Sequence, residues 1–306
     1  MGVEQNKKII MVIGIIPNTS KPKIIEVVEE VVSKIKENGF DYLIGKSLLN
    51  LKAELTDILK NSSFLPYKEL CEKSDLLISI GGDGTMLNTA FEARHSGTPM
   101  VGLNIGKLGF LAEFDIKSLN SFMSDIRNNK YTIEERMTLE GKCLLIPNEE
   151  IYAINDLVLS RGKYPKMIEL TVDVDGDYVS TFSADGLIIA TPTGSTGYSL
   201  STGGPIVSPK ADAIAISPIS PHTLTMRPLV LSSEQRIKIS VKEIETQIQL
   251  NCDGQRVYQL KPPFSLEVFK CSTPLKLLHT HSTNYFEILR DKLYWGLDVR
   301  NNKNFE

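Results

Sequence analysis

The stretch G-G-D-G-T at residues 81–85 combines flexible glycines with a single carboxylate, Asp83. It follows a predicted buried strand at Asp75–Ile80 and precedes a predicted helix at Met86–His95. Glycines let the backbone pass close to a ligand, and the N–H groups at the start of a helix bind phosphate oxygens. Asp83 would lie at the carboxyl end of the strand, where open α/β sheets bind ligands. Taken alone, the stretch is explained at least as well by a tight turn that Asp83 shapes.

A second stretch contains an unusual number of small hydroxyl side chains. Residues 185–205 hold seven serine and threonine residues, five glycines and one tyrosine, Tyr198. Hydroxyl donors at this density suit a ligand that carries phosphate, ribose and amide groups, and Tyr198 could stack on a base. The alternative is a polar loop at the rim of a sheet.

Several common catalytic motifs are missing from the sequence. Residues 102–108 resemble a P-loop, but the spacing is one residue short and Leu108 stands where Mg²⁺ requires a hydroxyl. No G-x-G-x-x-G follows a strand, and G-x-S-x-G, H-E-x-x-H and H-R-D are absent. Typical dehydrogenases, hydrolases, zinc peptidases and protein kinases therefore lack support. The four cysteines form no C-x-x-C pair, so we expect neither a zinc site nor a disulfide framework. The Asp175-Gly176 pair predicts a hairpin turn rather than a cation loop.

The elements that would position these stretches change in type along the chain. The first 130 or so residues alternate β-branched runs with helical patterns, which is typical of an α/β domain with a mostly parallel sheet. After about Thr132, short alternating segments between turn residues indicate a β-rich domain. We predict helices at 22–37 and 284–297, the second carrying Trp295, and strands at 9–16, 41–44, 75–80, 100–103, 139–146, 152–160, 169–174, 178–184, 186–190, 236–241, 246–250 and 264–270.

Length and charge limit the class of protein. A chain of 306 residues is long enough for about two domains. The 34 basic and 37 acidic residues give a net charge of −3, which argues against a nucleic-acid partner. The apolar run at 9–16 is too short to span a bilayer, and no export signal follows it. We expect a cytoplasmic protein without a membrane partner.

Four motifs in a fixed order connect the chain to a known family. They are G-G-D-G-T at 81–85, Asn155-Asp156, T-P-T-G-S-T-G-Y-S-L-S-T-G-G-P-I at 191–206 and D-G-Q at 253–255. This order resembles the bacterial NAD kinase family over essentially the whole chain, and K-L-Y-W-G at 292–296 is similar to the closing segment of that family. Lipid kinases of the diacylglycerol and sphingosine type share G-G-D-G-T, as phosphofructokinases do loosely. The other three motifs point to NAD kinase.

The resemblance implies an architecture and an assembly. A Rossmann-like α/β domain would occupy residues 1–132, joined by a returning terminal helix at about 281–306. A β-sandwich-like domain that binds NAD would occupy residues 133–280. The enzyme would be a homodimer or homotetramer with sites near subunit contacts.

The resemblance also implies a reaction and its residues. The enzyme would be a phosphotransferase with an alcohol acceptor, converting NAD and ATP to NADP and ADP, with Mg²⁺ held through the nucleotide phosphates. Asp83 matches the general base that accepts the proton of the adenosine ribose 2′-hydroxyl, and Asn155 and Asp156 match the pair that binds the dinucleotide. The further positions that match NAD contacts are Gly84, Lys166, Ser183, Asp185, Thr196, Gly197, Tyr198, Ser199, Leu200, Ser201, Ser220 and Gln255.

Gly197 departs from the pattern of the family, in which alanine is usual. The change removes a methyl contact and adds backbone freedom, so it bears on NAD affinity. Phosphate charge could be offset by basic groups at Lys107, Arg161, Lys163 and Lys166.

Two other functions stay open at this point. A lipid kinase would use the same G-G-D-G-T loop but would require a pocket for acyl chains and no Asn155-Asp156 pair. A sensor without catalysis would bind NAD and would not require Asp83. The phosphoryl donor also stays open among ATP, other nucleoside triphosphates and inorganic polyphosphate.

Overall fold

The computed structural model describes residues 11–106, 109–112, 114–242, 247–280 and 285–294, so Lys107 and Trp295 lie outside the described residues. The chain divides into two compact units. The first unit contains the described residues of 1–89, 98–134 and 277–306, and the second contains those of 90–97 and 135–276. Within the described ranges, no helix is long and apolar enough to cross a membrane.

The strands and helices are numbered in chain order. The strands are β1 (Val12–Pro17), β2 (Asp41–Gly45), β3 (Phe64–Leu65), β4 (Leu76–Gly81), β5 (Met100–Asn104), β6 (Phe114–Asp115), β7 (Thr132–Arg136), β8 (Leu139–Cys143), β9 (Ile151–Ala153), β10 (Asp156–Ser160), β11 (Ile168–Val174), β12 (Asp177–Ala184), β13 (Gly186–Ala190), β14 (Ala213–Ile219), β15 (Leu229–Ser232), β16 (Ile237–Val241), β17 (Ile248–Cys252), β18 (Arg256–Leu260), β19 (Phe264–Lys270) and β20 (Leu275–His279). The α-helices are α1 (Ile24–Glu37), α2 (Asp57–Lys60), α3 (Tyr67–Lys73), α4 (Asp83–Ala93), α5 (Leu119–Arg127), α6 (Tyr198–Ser201) and α7 (Tyr285–Leu293). Short 3-10 helices cover Lys46–Glu54, Ile116–Ser118 and Thr193–Thr196.

The first unit is built on a mostly parallel sheet. Its strand order is β3-β2-β1-β4-β5-β20-β7, and β6 pairs with β5. The strand β1 runs parallel to β2 and β4, and β4 runs parallel to β5. Because parallel neighbours need crossover connections, helices alternate with these strands along the chain. The central strand β4 is buried along its whole length, which explains its nearly unbroken apolar sequence.

The helix α1 covers one face of this sheet. Its side chains Val28, Val31 and Ile35 are fully buried in one apolar cluster with Ile13 of β1 and Ile78 of β4. Apolar positions three and four apart lie on one helix face, which is why this segment forms a helix on the sheet. Each such burial contributes roughly 1.5–3 kcal/mol of transfer free energy.

The second unit is a sandwich of two six-stranded antiparallel sheets. One sheet has the order β15-β14-β13-β10-β17-β18, and the other has the order β12-β11-β16-β19-β8-β9. Leu157 and Leu250 of the first sheet share one apolar core with Leu170 and Leu266 of the second. The predicted fold class, an α/β domain with a β-sandwich domain, is confirmed.

Some predicted elements were wrong. The strand predicted at 152–160 is two strands, β9 and β10, which belong to different sheets. The helix predicted from Met86 begins at Asp83. The strand β14, which contains Pro218, was not predicted.

Candidate active site

Asp83 is the first residue of α4 and follows the carboxyl end of β4. Its Oδ2 accepts a hydrogen bond from the Phe110 N–H at 2.8 Å, and its Oδ1 accepts from Leu111 at 3.0 Å and Ala112 at 3.2 Å. The carboxylate therefore holds the loop 109–112 with three backbone N–H groups. An ionised carboxyl offers about four lone-pair positions, so one remains for another donor.

At two glycine positions near this carboxylate, a side chain would clash with a neighbouring residue. A Cβ atom on Gly109 would lie 1.9 Å from Asp83 Oδ1, and a Cβ atom on Gly81 would lie 2.2 Å from Thr85 Oγ1. Thr85 Oγ1 in turn accepts a hydrogen bond from Asn18 Nδ2 at 3.0 Å. The G-G-D-G-T stretch is thus packed closely on the loops that follow β1 and β5.

Asn155 and Asp156 lie where the chain leaves β9 and enters β10. The Asp253 side chain is fully buried, and its Oδ1 accepts N–H groups from Ile154 at 3.1 Å, Asn155 at 2.7 Å and Asp156 at 3.1 Å. Its Oδ2 accepts the Ile154 N–H at 2.9 Å. The Asp253 N–H donates back to the Asp156 carbonyl at 3.0 Å. These bonds replace strand pairing at this point, so the predicted single strand is interrupted here.

The two carboxyls of this segment differ in their environment. Burial, and next the Asp253 charge, raise the pKa of Asp156 to about 7. Burial also raises the pKa of Asp253, but its backbone hydrogen bonds and the Arg256 charge oppose that rise. Among the described residues, none donates a hydrogen bond to the Asp156 side chain. Burial therefore raises the pKa of both carboxyls of this segment, and that of Asp156 lies near neutral pH.

The hydroxyl-rich stretch 191–204 bonds largely to itself. Ser195 Oγ donates to the Pro192 carbonyl at 2.7 Å and accepts the Val207 N–H at 2.9 Å. Thr191 Oγ1 donates to the Ile154 carbonyl at 2.6 Å. Three of the hydroxyl residues, Thr191, Ser195 and Ser199, are completely buried. The hydroxyls of these three side chains bond to other groups of the chain.

The same stretch nevertheless lies directly on the Asn155 segment. A Cβ atom on Gly194 would lie 2.0 Å from the Asn155 carbonyl oxygen, so the two backbones are in contact. A Cβ atom on Gly197 would lie 3.2 Å from the Gly194 carbonyl oxygen and 3.8 Å from Asp156 Oδ2. The alanine that is usual in the family would thus need a shift of only a few tenths of an ångström. Tyr198 is half exposed beside this position.

The predicted NAD contacts fall into two groups in the second unit. The first group consists of Asn155, Asp156, Gln255 and residues 196–201. Cys252 of β17 pairs with Leu157 of β10, so the turn that follows Cys252 lies beside Asp156. Gln255 is in this turn and therefore belongs to the first group. Within this group Ser199 is buried and donates or accepts at Ser217 Oγ, 2.9 Å away, whereas Gly197, Ser201 and Gln255 are exposed.

The second group consists of Lys166, Ser183, Asp185 and Ser220. Ser160 pairs with Gly186 at one end of β10, and Asp156 pairs with Ala190 at the other end. Asp185 thus lies one strand length, roughly 14 Å, from the Asn155 segment. The Asp185 N–H donates to the Ile219 carbonyl at 2.9 Å, which places Ser220 next to Asp185. The strand β11 begins opposite Ala184, so Lys166 and Ser183 also lie near the Ser160 end of β10.

The basic residues proposed to offset phosphate charge differ in their ion pairing and exposure. Arg161 Nε forms an ion pair with Asp185 Oδ1 at 2.6 Å, and its guanidinium also donates to the Tyr164 carbonyl. The Arg161 guanidinium therefore already has a carboxylate partner. Lys163 and Lys166 are exposed. Across the described ranges, no group of three His, Cys, Asp or Glu side chains could hold a metal ion.

Sequence reasoning missed the residues that support the predicted site. Asp253 lies in the D-G-Q motif, from which only Gln255 was predicted as a contact. An aspartate before glycine is common in hairpin turns, so residue type alone does not indicate its second role. Gly109 carried no signal, because its contact with Asp83 spans 26 residues of sequence.

Two family models match most of the chain. The ATP-NAD kinase N-terminal domain matches residues 13–131, and the ATP-NAD kinase C-terminal domain matches residues 154–280. The NAD kinase of Chlorobium phaeovibrioides is 39% identical over 291 residues, which cover 94% of this chain and 100% of that protein. The NAD kinase of Thermoanaerobacter sp. (strain X514) is 38% identical over 283 residues, covering 92% of this chain and 98% of the relative.

Solved structures of similar proteins agree in fold. Yeast NADH kinase in complex with NADH superposes with a TM-score of 0.86 at 26% identity, covering 96% of this chain and 90% of the other. An NAD kinase from Archaeoglobus fulgidus in complex with ATP gives a TM-score of 0.72 at 24% identity, covering 93% of this chain and 99% of the other, and supports the fold. Both family domains are present in order, and the similarity extends over nearly the whole length of the relatives. The chain belongs to the NAD kinase family.

Proposed function

We propose that the protein transfers the γ-phosphoryl group of ATP to the 2′-hydroxyl of the adenosine ribose of NAD, giving NADP and ADP. The observation that carries this proposal is the match of both ATP-NAD kinase domains to one chain. In the reaction, the bond between the ribose oxygen and the γ-phosphorus forms as the bond between that phosphorus and the ADP oxygen breaks. The hydroxyl proton must pass to a base.

Asp83 is the proposed base. Its position after β4 at the start of α4 is the sheet edge at which α/β folds bind ligands. The loop 109–112 orients the carboxylate through three N–H groups and leaves one lone-pair position for the ribose hydroxyl. In a loose phosphoryl-transfer transition state, a carboxylate helps by orienting the hydroxyl and accepting its proton late.

NAD binding is assigned to the second unit. Asn155 and Asp156 offer an amide and a carboxyl to ribose hydroxyls, and a protonated Asp156 could donate as well as accept. Gly197 and the half-exposed Tyr198 present an open surface beside them. The further contacts that we propose are Gly84, Lys166, Ser183, Asp185, Thr196, Ser199, Leu200, Ser201, Ser220 and Gln255.

Mg²⁺ is proposed to enter with the nucleotide. Carboxylate and amide oxygens are ligands of the type that Mg²⁺ accepts, but it commonly binds through substrate phosphates and only one or two carboxylates. We therefore expect the ion to be held through the nucleotide phosphates rather than by a cluster of protein carboxylates. When bound, Mg²⁺ would neutralise charge on the β- and γ-phosphates.

We also propose a homodimer or homotetramer. The strand β15 is an edge of its sheet, and its side chains Leu229 and Val230 are 41% and 48% exposed. An exposed apolar edge strand has unpaired backbone groups that can pair with another chain. The loop between Ser220 and β15 also exposes Leu224, so an apolar surface adjoins the second group of proposed contacts.

The test is NADP formation from NAD, ATP and Mg²⁺, detected with an NADP-specific dehydrogenase. Asp83→Asn should lower the rate by about 100-fold or more, since positioned bases contribute about 10²–10⁴. Asp57→Asn, at an exposed aspartate of the same unit, is the control and should retain the parental rate.

Binding and stability measurements separate catalysis from folding. Calorimetry should find NAD binding in both variants, and thermal unfolding should show that Asp83→Asn is folded. An Asp83→Asn variant with the parental rate would remove Asp83 from the chemistry. A parent protein that binds NAD without making NADP would overturn the proposed reaction.

A further inference from the structure

The fully buried Asp253 side chain cannot contact a substrate. Its two oxygens instead accept three consecutive backbone N–H groups, those of Ile154, Asn155 and Asp156, at 2.7–3.1 Å. Consecutive N–H groups of a strand point alternately to opposite sides, so their convergence on one carboxylate fixes a non-strand backbone. The carboxylate therefore fixes the backbone positions from which the Asn155 and Asp156 side chains extend.

Arg256 holds this carboxylate from the other side. Its Nη2 lies 3.7 Å from Asp253 Oδ2 and donates to the Tyr152 carbonyl at 2.8 Å. Its guanidinium carbon lies 3.7 Å from the centre of the Phe91 ring. A buried carboxylate needs such an opposite charge to offset its desolvation. Arg256 thus connects Asp253 to the end of β9, immediately before the Asn155 segment.

The turn alone does not require a carboxylate. Asp253 and Gly254 have φ values of 56° and 67° and form the turn between β17 and β18. Asparagine is equally suited to that position of a hairpin turn. The same chain contains a second turn of this kind, Asp175-Gly176 between β11 and β12, with φ values of 54° and 92°. There the Asp175 carboxylate is exposed and accepts the Arg236 N–H and the Gln235 amide.

We propose that Asp253, held by Arg256, is a positioning residue that fixes Asn155 and Asp156 for NAD and thereby sets the affinity for NAD. This inference rests on the proposed function, in which those two side chains bind NAD. It assigns to Asp253 a task that the turn alone does not demand. Asparagine at 253 would keep the turn but would place an amide N–H₂ where Oδ2 now meets the Ile154 N–H and Arg256.

The experiment compares Asp253→Asn with Asp175→Asn in the full chain. NAD binding is measured by calorimetry, and kcat and the KM values for NAD and ATP are measured per folded protein. Asp253→Asn should weaken NAD binding and raise the KM for NAD about tenfold, which corresponds to about 1.4 kcal/mol. Its kcat should stay within about twofold, and its KM for ATP should not change. Asp175→Asn should leave all of these values at the parental level.

A merely structural role predicts a different result. It would lower the folded fraction and the apparent kcat while the KM for NAD stayed parental, and that outcome would overturn the proposal. Parental NAD affinity in folded Asp253→Asn would overturn it as well. If the parent itself neither bound NAD nor made NADP, the proposed function would fail, and this inference would fail with it.

A second variant keeps the test decisive if Asp253→Asn does not fold. Arg256→Lys retains the positive charge but loses the hydrogen bond to Tyr152 and the contact with the Phe91 ring. It should raise the KM for NAD in the same direction by a smaller factor, again without change in the KM for ATP. An unchanged NAD affinity in Arg256→Lys would contradict the positioning role.

Discussion

The Asp83 carboxylate packs so closely on Gly109 that position 109 has no room for a side chain. The Cβ position of an alanine there would lie 1.9 Å from Asp83 Oδ1, well inside van der Waals contact. Because the loop 109–112 holds Asp83 through its own N–H groups, a shift of the carboxylate would also break these bonds. Gly109 thus controls the position of the proposed base.

Gly109→Ala should therefore lower NADP formation by roughly 100-fold, because small displacements of a reacting group cost about that much. Calorimetry should show NAD binding that is changed far less than the rate. Gly82→Ala, whose Cβ position has no atom within 4 Å, is the control for folding and should match the parent in thermal stability. A parental rate in Gly109→Ala would show that Asp83 need not hold its present position.

The raised pKa of Asp156 predicts that the stability of the protein depends on pH. Burial raises its folded-state pKa to about 7, above its ordinary value of 3.8. The stability it contributes is therefore fully present below about pH 4 and is lost as the pH rises through about 7, because the folded state must then bury a charge. Relative to Asp156→Asn, the parent should lose a few kcal/mol of unfolding free energy between pH 4 and pH 8.

Denaturant unfolding of both proteins across that range measures the difference. Asp177→Asn, at the exposed start of β12, controls for the loss of one negative charge. The free energy of unfolding of Asp156→Asn should rise relative to that of the parent as the pH increases. A constant difference between the two proteins would show that Asp156 is ionised throughout.

The motifs of the sequence predicted some of these residues and not others. Asp83, Asn155 and Asp156 stand in motifs that retain their order, so they could be found without coordinates. Asp253 serves backbone atoms 97 to 99 residues away, and no local pattern reveals such a contact. The ion pair of Arg161 with Asp185 spans 24 residues of sequence and is likewise visible only in the fold.

At the scale of elements, the hydroxyl-rich stretch 191–204 is mainly a folded support. Ser195 joins this stretch to Val207 through one hydroxyl that both donates and accepts. Ser201, by contrast, is exposed and donates only to the Tyr198 carbonyl at 2.7 Å. The two serines therefore differ in what their hydroxyls stabilise.

Ser195→Ala should reduce the free energy of unfolding by about 1–3 kcal/mol, because the Val207 N–H would lose its partner. Ser201→Ala should change it by no more than about 0.5 kcal/mol, as expected for an exposed substitution. Urea unfolding of the two variants provides the comparison. Equal stability in both variants would mean that water replaces the Ser195 hydroxyl.

Elements with strong periodicity were predicted well. The helix α1 and the strands β13 and β19 lie where their apolar patterns indicate. The boundary between β9 and β10 was missed, although the polar pair Asn155-Asp156 stands there, because apolar residues flank the pair on both sides and the Asp253 contact that interrupts the strand is distant in sequence. The start of α4 at Asp83 was also hidden, because glycines on both sides favoured a turn.

At the scale of the whole molecule, the change from α/β to β-rich sequence near residue 132 predicted two kinds of fold. The structure has both, and its first unit also contains residues 277–280 and 285–294. The segment 90–97 belongs to the second unit, although its first four residues are the last turn of α4. Such an exchange depends on contacts between distant residues, which length and composition cannot indicate.

The assembly of whole chains provides the last prediction. Lysine on an exposed edge strand opposes pairing with another chain, because its charge would be buried in the contact. Val230→Lys on β15 should therefore shift the protein from a dimer or tetramer to a single chain in analytical ultracentrifugation. Val257→Lys, at the half-exposed position on the opposite edge strand β18, is the matched control and should keep the parental mass.

Activity then tests whether the assembly serves the reaction. Lys166, Ser183, Asp185 and Ser220 lie a strand length from Asn155, so one chain separates the two groups of proposed NAD contacts. If sites form near subunit contacts, the Val230→Lys monomer should lose NADP formation while it remains folded. A monomer with parental kcat would show that each chain is sufficient by itself, and an unchanged mass would exclude β15 as the contact.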